Sequence, residues 1–120
     1  RILCAKCKQP DREPDQMWLK LSGITPADLE GRTLYKPKGC EFCSGIGFRG
    51  RMGLFEMMQL NNEIRTLAFE RAATNKIRKA ALASGMKSLL HDGRVKVLNG
   101  ITTAEEIVKV AQVEGVITDK

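Results

Sequence analysis

Cys40-Glu41-Phe42-Cys43-Ser44-Gly45-Ile46-Gly47, read together with Cys4-Ala5-Lys6-Cys7, decides how this chain folds. These are the only 4 cysteines in 120 residues, two residues apart within each pair and with 32 residues between the pairs. Two thiolates at that spacing can face one ion across a tight turn. Two such turns complete a tetrahedral sulfur shell with no position left for a substrate. The spacing therefore predicts a closed, structural zinc site made by Cys4, Cys7, Cys40 and Cys43. Gly45 and Gly47 suit a knuckle that must turn just past its second cysteine. Lys6, Lys8 and Lys38 lie near the ligands along the chain and would offset part of the negative charge of a tetrathiolate centre. A solvated surface explains those lysines more simply.

Three other uses of four cysteines compete with zinc. Two disulfides need an oxidising compartment, and the opening residues do not read as a signal peptide. A thioredoxin-like pair would follow a buried strand, for which Ile2-Leu3 is too short a lead. Iron–sulfur clusters usually have more crowded cysteine spacings.

The length is that of one ordinary domain. A composition of 42% hydrophobic and 28% charged residues describes a globular chain, not a disordered one. No apolar run approaches the roughly 18 residues of a membrane span. The net charge of +6 allows an acidic partner. Aromatics are only 5% of the chain, and neither a stacking platform nor a base-reading helix is visible, so nucleic acid is not the expected partner.

Working outward from the cysteines, Lys8 to Gln16 reads as an irregular connector broken by Pro10 and Pro14. Met17 to Leu21 fits one or two helical turns, and Thr25-Pro26-Ala27-Asp28 has the cap, proline and acid of a helix start. Thr33 to Tyr35 can pair as a strand. The excursion from Met17 to Tyr35 is expected to form a small lobe whose ends the metal holds. Met52 to Leu60 is apolar enough for a buried strand. Glu56 interrupts it, with Arg49 and Arg51 as the nearest cations to pair with it.

Four helices are expected beyond it. Asn62 would cap the first, and Thr74 or Asn75 the second. Ser88 would start the third, with Leu89, Leu90, Val95 and Leu98 inward and Gly93 allowing close packing. Thr102 or Thr103 would open the fourth with a capping box, its apolar face formed by Ile107, Val108, Val110 and Ala111. The fold class is thus α+β and mainly helical. Residues 1–50 form a tetracysteine zinc-binding subdomain with one or two short strands, and residues 51–120 a helical bundle. His91, the only histidine, has no nucleophile motif beside it and reads as an exposed helix position. The chain lacks a phosphate loop, a His-Glu-x-x-His zinc motif and a Ser-His-Asp pattern, so this fragment is not expected to be an enzyme.

Cys4-x-x-Cys7, Leu34-Tyr35-Lys36-Pro37-Lys38-Gly39-Cys40-x-x-Cys43 and Gly45-x-Gly47-Phe48-Arg49-Gly50-Arg51-Met52-Gly53-Leu54-Phe55-Glu56 together resemble the C-terminal region of type II secretion and type IV pilus assembly ATPases. Ile77 to Ala81, Gly85 to Leu89 and Lys96 to Ile107 resemble the closing segment of the same family. The resemblance implies one piece of a homo-hexameric motor whose own upstream ATPase domain binds ATP and Mg. This piece would support that domain and the packing of neighbouring subunits, at the cytoplasmic face of a bacterial inner membrane beside the secretion or pilus platform proteins. Within it Arg49 and Arg51, in a glycine-rich setting, are candidates for a nucleotide or subunit contact. A zinc-ribbon module for nucleic acid is the alternative from a binding class. The Cys40-x-x-Cys43-x-Gly45-x-Gly47 run also resembles the cysteine repeat of heat-shock co-chaperones, which use several copies where this chain has one.

Overall fold

Short polar side chains start most of the helices by accepting their first free N–H groups. Asp15 accepts from Met17, Asn61 from Ile64 and Ser88 from His91. Thr25 and Asp28 bond each other's backbone N–H groups in a reciprocal box. The structure, a computed structural model, describes residues 1–113. Its order is β1 (Gln9–Pro10), α1 (Gln16–Ser22), α2 (Pro26–Leu29), β2 (Tyr35–Lys36), α3 (Asn62–Phe69), α4 (Thr74–Ala83), α5 (Leu89–Leu98) and α6 (Ala104–Val113). β1 and β2 pair antiparallel, with Gln9 opposite Lys36 and Pro10 opposite Tyr35.

Two separate cores organise these elements. The first gathers Leu19, Ile24 and Leu34 from the cysteine-bounded excursion with Val97, Ala104 and Ile107 from α5 and α6. Trp18, Leu29, Leu54, Leu90 and Leu98 pack around it. Gly93 makes the α5–α6 approach close enough, because a Cβ there would lie 2.9 Å from Cβ and Cγ2 of Ile107. The second core is confined to the α3–α4 hairpin and the turn after it: Ile64, Ala80 and Ala81, covered by Leu67, Ile77 and Met86. The radius of gyration of the molecule is 16.9 Å, against about 13 Å for a compact chain of this size.

Several expectations change in this light. The Met17–Tyr35 excursion is no lobe with a core of its own, since its apolar residues are buried against α5 and α6. The four C-terminal helices do not share one core, so the expected bundle is replaced by a hairpin and a three-helix cluster of α1, α5 and α6. Met52 to Leu60 forms no strand and is not buried. Phe55 is 71% and Met57 77% exposed, and no backbone–backbone bond reaches residues 51–60 among the described residues. Glu56 pairs with neither Arg49 nor Arg51, and instead accepts the Leu89 N–H at the start of α5, 2.7 Å. Val95 and Val110, expected inward, are exposed, while Val97, Ile107, Val108 and Ala111 fill the core. The α3 cap is Asn61, not Asn62, and α4 starts after Ala73 without a side-chain cap.

Candidate metal centre

The backbone brings the four cysteines together through two turns and a crossing contact. Cys4 C=O accepts from Cys7 and Lys8 N–H, and Cys40 C=O accepts from Gly45 N–H at 2.8 Å. Cys4 N–H then donates to Gly47 C=O at 2.9 Å, locking one turn against the other beside the Leu3–Phe48 bridge. Gly47 has φ 86° and its missing Cβ would fall 2.5 Å from Pro37 Cβ, so no side chain fits where the turns meet.

This frame puts the four sulfurs within 4.8 Å of one another, with Cys4–Cys40, Cys7–Cys43 and Cys40–Cys43 each at 3.8 Å. Four sulfurs bonded to one ion at about 2.3 Å sit about 3.8 Å apart at the corners of a tetrahedron. The observed edges suit that shell. They are far longer than the roughly 2.05 Å of a disulfide, and all four cysteines are free thiols.

Backbone donors supply a second layer. Gly39 N–H points to Cys7 Sγ at 3.3 Å, while Cys40 and Gly47 N–H both point to Cys43 Sγ at 3.2 Å. Burial pushes the Cys7 thiol up to about 11, against the Gly39 N–H. Burial also opposes ionisation of Cys43, but the Gly47 and Cys40 N–H groups, with the Cys40 and Cys7 thiols, outweigh it and bring that group down to about 6. Two N–H groups on one sulfur thus favour its anion, the form a metal takes.

The knuckles are tied to the rest of the molecule at the connection between α5 and α6. Leu3 N–H donates to Ile101 C=O at 2.8 Å, Lys8 Nζ to Gly100 C=O at 2.8 Å, and Thr102 Oγ1 to Arg1 C=O at 2.7 Å. Lys8 also lies 4.6 Å from the centre of the Tyr35 ring, so of the three lysines it has a structural job. That role was not legible in the sequence, because its partner is 92 residues away.

Of the two arginines, Arg49 lies beside the second knuckle. Its Nη1 donates to Phe42 C=O at 2.6 Å and its guanidinium stacks 4.1 Å from the Phe42 ring centre. Arg51 is exposed and forms no ion pair among the described residues. His91 is half-buried in α5, and its neighbour Asp92 turns to Phe55 N–H and Lys96 Nζ. Lys96 donates in addition to Gly53 C=O at 2.9 Å. Asp92 and Lys96 therefore clasp the 53–55 segment onto α5, a pairing that helix spacing alone (i, i+4) hinted at without revealing its target. No described helix is long and apolar enough to cross a membrane.

Comparison with known proteins bears on this arrangement. The model of the type II/IV secretion system protein family matches residues 1–109. The chain is 38% identical over 107 residues to the type IV pilus assembly ATPase PilB of Thermus thermophilus, covering 89% of this chain and 12% of that protein. It is 37% identical over 114 residues to type II secretion system protein E of Pseudomonas aeruginosa, covering 95% of this chain and 22% of that one. PilB of Myxococcus xanthus is 33% identical over 108 residues, at 90% and 19%. The chain thus spans between 12% and 22% of the length of these relatives.

Proposed function

Because the chain belongs to the type II/IV secretion system protein family, we propose that it is the metal-holding C-terminal portion of an ATPase that powers type II secretion or type IV pilus assembly. Cys4, Cys7, Cys40 and Cys43 hold one structural zinc ion. The fit of that ion rests on the four sulfurs, whose 3.8 Å edges match a closed zinc–sulfur tetrahedron. Such an ion neutralises the thiolates and fixes both knuckles; its closed shell leaves chemistry on substrate to other parts of the protein. ATP and Mg belong to the upstream domain, and this portion turns over no nucleotide by itself.

The observation that carries the supporting role is the segment 52–60. A run of Met, Leu and Phe side chains stands exposed, with Phe55 at 71% and Met57 at 77%, and without backbone partners among the described residues. It borders an open groove formed with Ala81, Met86 and Val95. Apolar surface of that kind is a contact face awaiting its cover. The cover we assign is the upstream ATPase domain of the same polypeptide, with neighbouring subunits of a homo-hexamer beyond it. The assembly works on the cytoplasmic side of a bacterial inner membrane against platform proteins. The segment's high apolar content, which reads as a buried strand in the sequence, agrees with burial in the larger protein.

Elemental analysis of the purified chain tests the metal. One zinc per chain is expected, with four thiols that react with an alkylating agent only after chelation. Two disulfides and no metal would overturn it. The supporting role is tested in the full polypeptide by Phe55→Ser with Met57→Ser. Loss of ATP turnover with zinc retained is expected, and unchanged turnover would refute the contact.

A further inference from the structure

A cavity of about 250 Å³ opens where β2, α1 and the start of α6 come together. Its floor is apolar and belongs to the first core, since Leu19, Leu34, Val97 and Ala104 line it and are all buried. Trp18 and Tyr35 line it as well, and both are only half-buried. Lys8 already holds its Nζ 4.6 Å from the Tyr35 ring centre. Trp18 is therefore the aromatic face left to a ligand.

Charge in this cavity runs against the rest of the chain. The sequence carries a net charge of +6, yet Asp11, Asp15 and Glu105 line the cavity against a single cation, Lys36. The fold uses only one oxygen of each acid. Asp11 Oδ1 accepts the Glu13 N–H at 3.2 Å, Asp15 Oδ1 accepts the Met17 N–H at 2.9 Å, and Glu105 Oε1 meets Lys109 Nζ at 3.3 Å. Asp11 and Asp15 form no ion pair among the described residues.

We propose that this cavity receives the side chain of an arginine carried by a protein partner, with its stem on the apolar floor, its guanidinium against Trp18 and its N–H groups toward Asp11 and Asp15. An apolar floor under acidic groups suits a long side chain that is aliphatic along its stem and charged at its end. Arginine fits better than lysine, because a planar guanidinium both stacks on an aromatic face and forks onto carboxylates. Size decides between a protein and a free metabolite. Pockets that enclose a whole small molecule run to about 300–1,000 Å³, whereas the 250 Å³ here admits one side chain and leaves its main chain outside. The inference depends neither on the metal nor on the role proposed above for residues 52–60.

Trp18 is the only tryptophan in the chain, so its fluorescence reports this cavity directly. The purified chain is titrated at constant ionic strength with N-acetyl-arginine amide and, in parallel, with its neutral isostere N-acetyl-citrulline amide. A saturable change with a midpoint of about 1 mM is expected for the arginine probe, and a response about tenfold weaker or less for citrulline. Asp11→Asn with Asp15→Asn removes two charges, while asparagine can keep the turn bond to Glu13 and the cap on α1. That pair should lower affinity about tenfold, from roughly threefold for each exposed ion pair. Glu63→Gln with Glu70→Gln removes the same charge from α3 and should leave binding in place. Free arginine brings its own carboxylate to the acidic mouth and should bind more weakly than the blocked probe. The proposal fails if citrulline binds as tightly, if the Asp11 and Asp15 pair binds like the parent, or if the α3 pair weakens binding as much. Tighter binding of free arginine would overturn the protein partner in favour of a metabolite. Circular dichroism verifies that each variant keeps the thermal midpoint of the parent chain.

Discussion

Gly93→Ala puts one methyl group at the closest point between α5 and α6. The new Cβ would lie 2.9 Å from both Cβ and Cγ2 of Ile107 and 3.2 Å from its Cδ1. Cβ is fixed by the backbone and Cγ2 can move only by leaving the χ1 rotamer that a helix strongly prefers for isoleucine, so the helices must move apart to reach the usual carbon contact of about 3.5–4.0 Å. Ile107 is 1% exposed and shares its core with Leu19, Ile24, Leu34 and Val97, which separation would loosen together. Overpacking of this kind costs about 1–3 kcal/mol. Against it, alanine gains about 1 kcal/mol of helix propensity over glycine. The two terms leave a net loss of about 1–2 kcal/mol, taken toward the upper part of the overpacking range because branch-point atoms are involved. Urea unfolding followed by circular dichroism reads it as a lower midpoint at unchanged slope. In the Ile107→Ala background the same change should cost less, because the obstructing Cγ2 and Cδ1 are gone. A Gly93→Ala chain as stable as its parent would refute the claim that this contact sets the helix spacing.

Metal removal should open the cysteine turns and loosen the bond that ties Leu3 to Ile101. Chelation is expected to raise hydrogen exchange at the amides of Leu3, Cys4, Cys40 and Gly47 while the α3–α4 hairpin keeps its protection, and uniform protection before and after would refute this. Asp92 is held below the usual carboxylate range by its bond from Lys96, with burial opposing and the Phe55 N–H assisting. A depressed carboxylate stabilises above its unfolded value and loses that contribution as pH falls through the folded one, so the clasp on residues 53–55 should hold through the ordinary range of Asp titration and release only below it. Amide exchange of Phe55 against pH reads the release, and Asp92→Asn should abolish the step. Phe55→Ser with Met57→Ser should lower dye binding and aggregation of the isolated chain and change its stability by about 0.5 kcal/mol or less, as exposed sites do.

The clustering of the four cysteines was legible because it is written locally: two cysteine pairs at turn spacing, with glycine where a Cβ would strike Pro37. The cap at Thr25, the start of α5 at Ser88 and the close packing at Gly93 were legible for the same reason. Local spacing does not show which surfaces distant in the chain meet. Leu19, Ile24 and Leu34 look like the small core of a separate lobe, and nothing in their spacing shows that Val97 and Ile107 complete it. Residues 52–60 have strand composition, but a strand needs a partner strand to bond, and among the described residues none reaches it. Nearness in sequence points Glu56 to Arg49 and Arg51, whereas in space its partner is the N–H of Leu89 at a helix start.

The connection between α5 and α6 gives the four-cysteine cluster a reach beyond its own turns. Leu3, Lys8 and Thr102 supply three bonds between the first knuckle and residues 100–102 or Arg1, at 2.7–2.8 Å. That same connection sets where α6 leaves α5, and the α5–α6 pair forms the wall on which α1 and residues 24–34 are buried. On the opposite side, α5 holds the exposed segment through Asp92 and Lys96. A displacement of the knuckle therefore has a bonded route to residues 53–55 that passes through one rigid helix. The α3–α4 hairpin keeps a core of its own, separate from the one that α5 and α6 share with Leu19, Ile24 and Leu34, so its packing does not run through the four-cysteine turns.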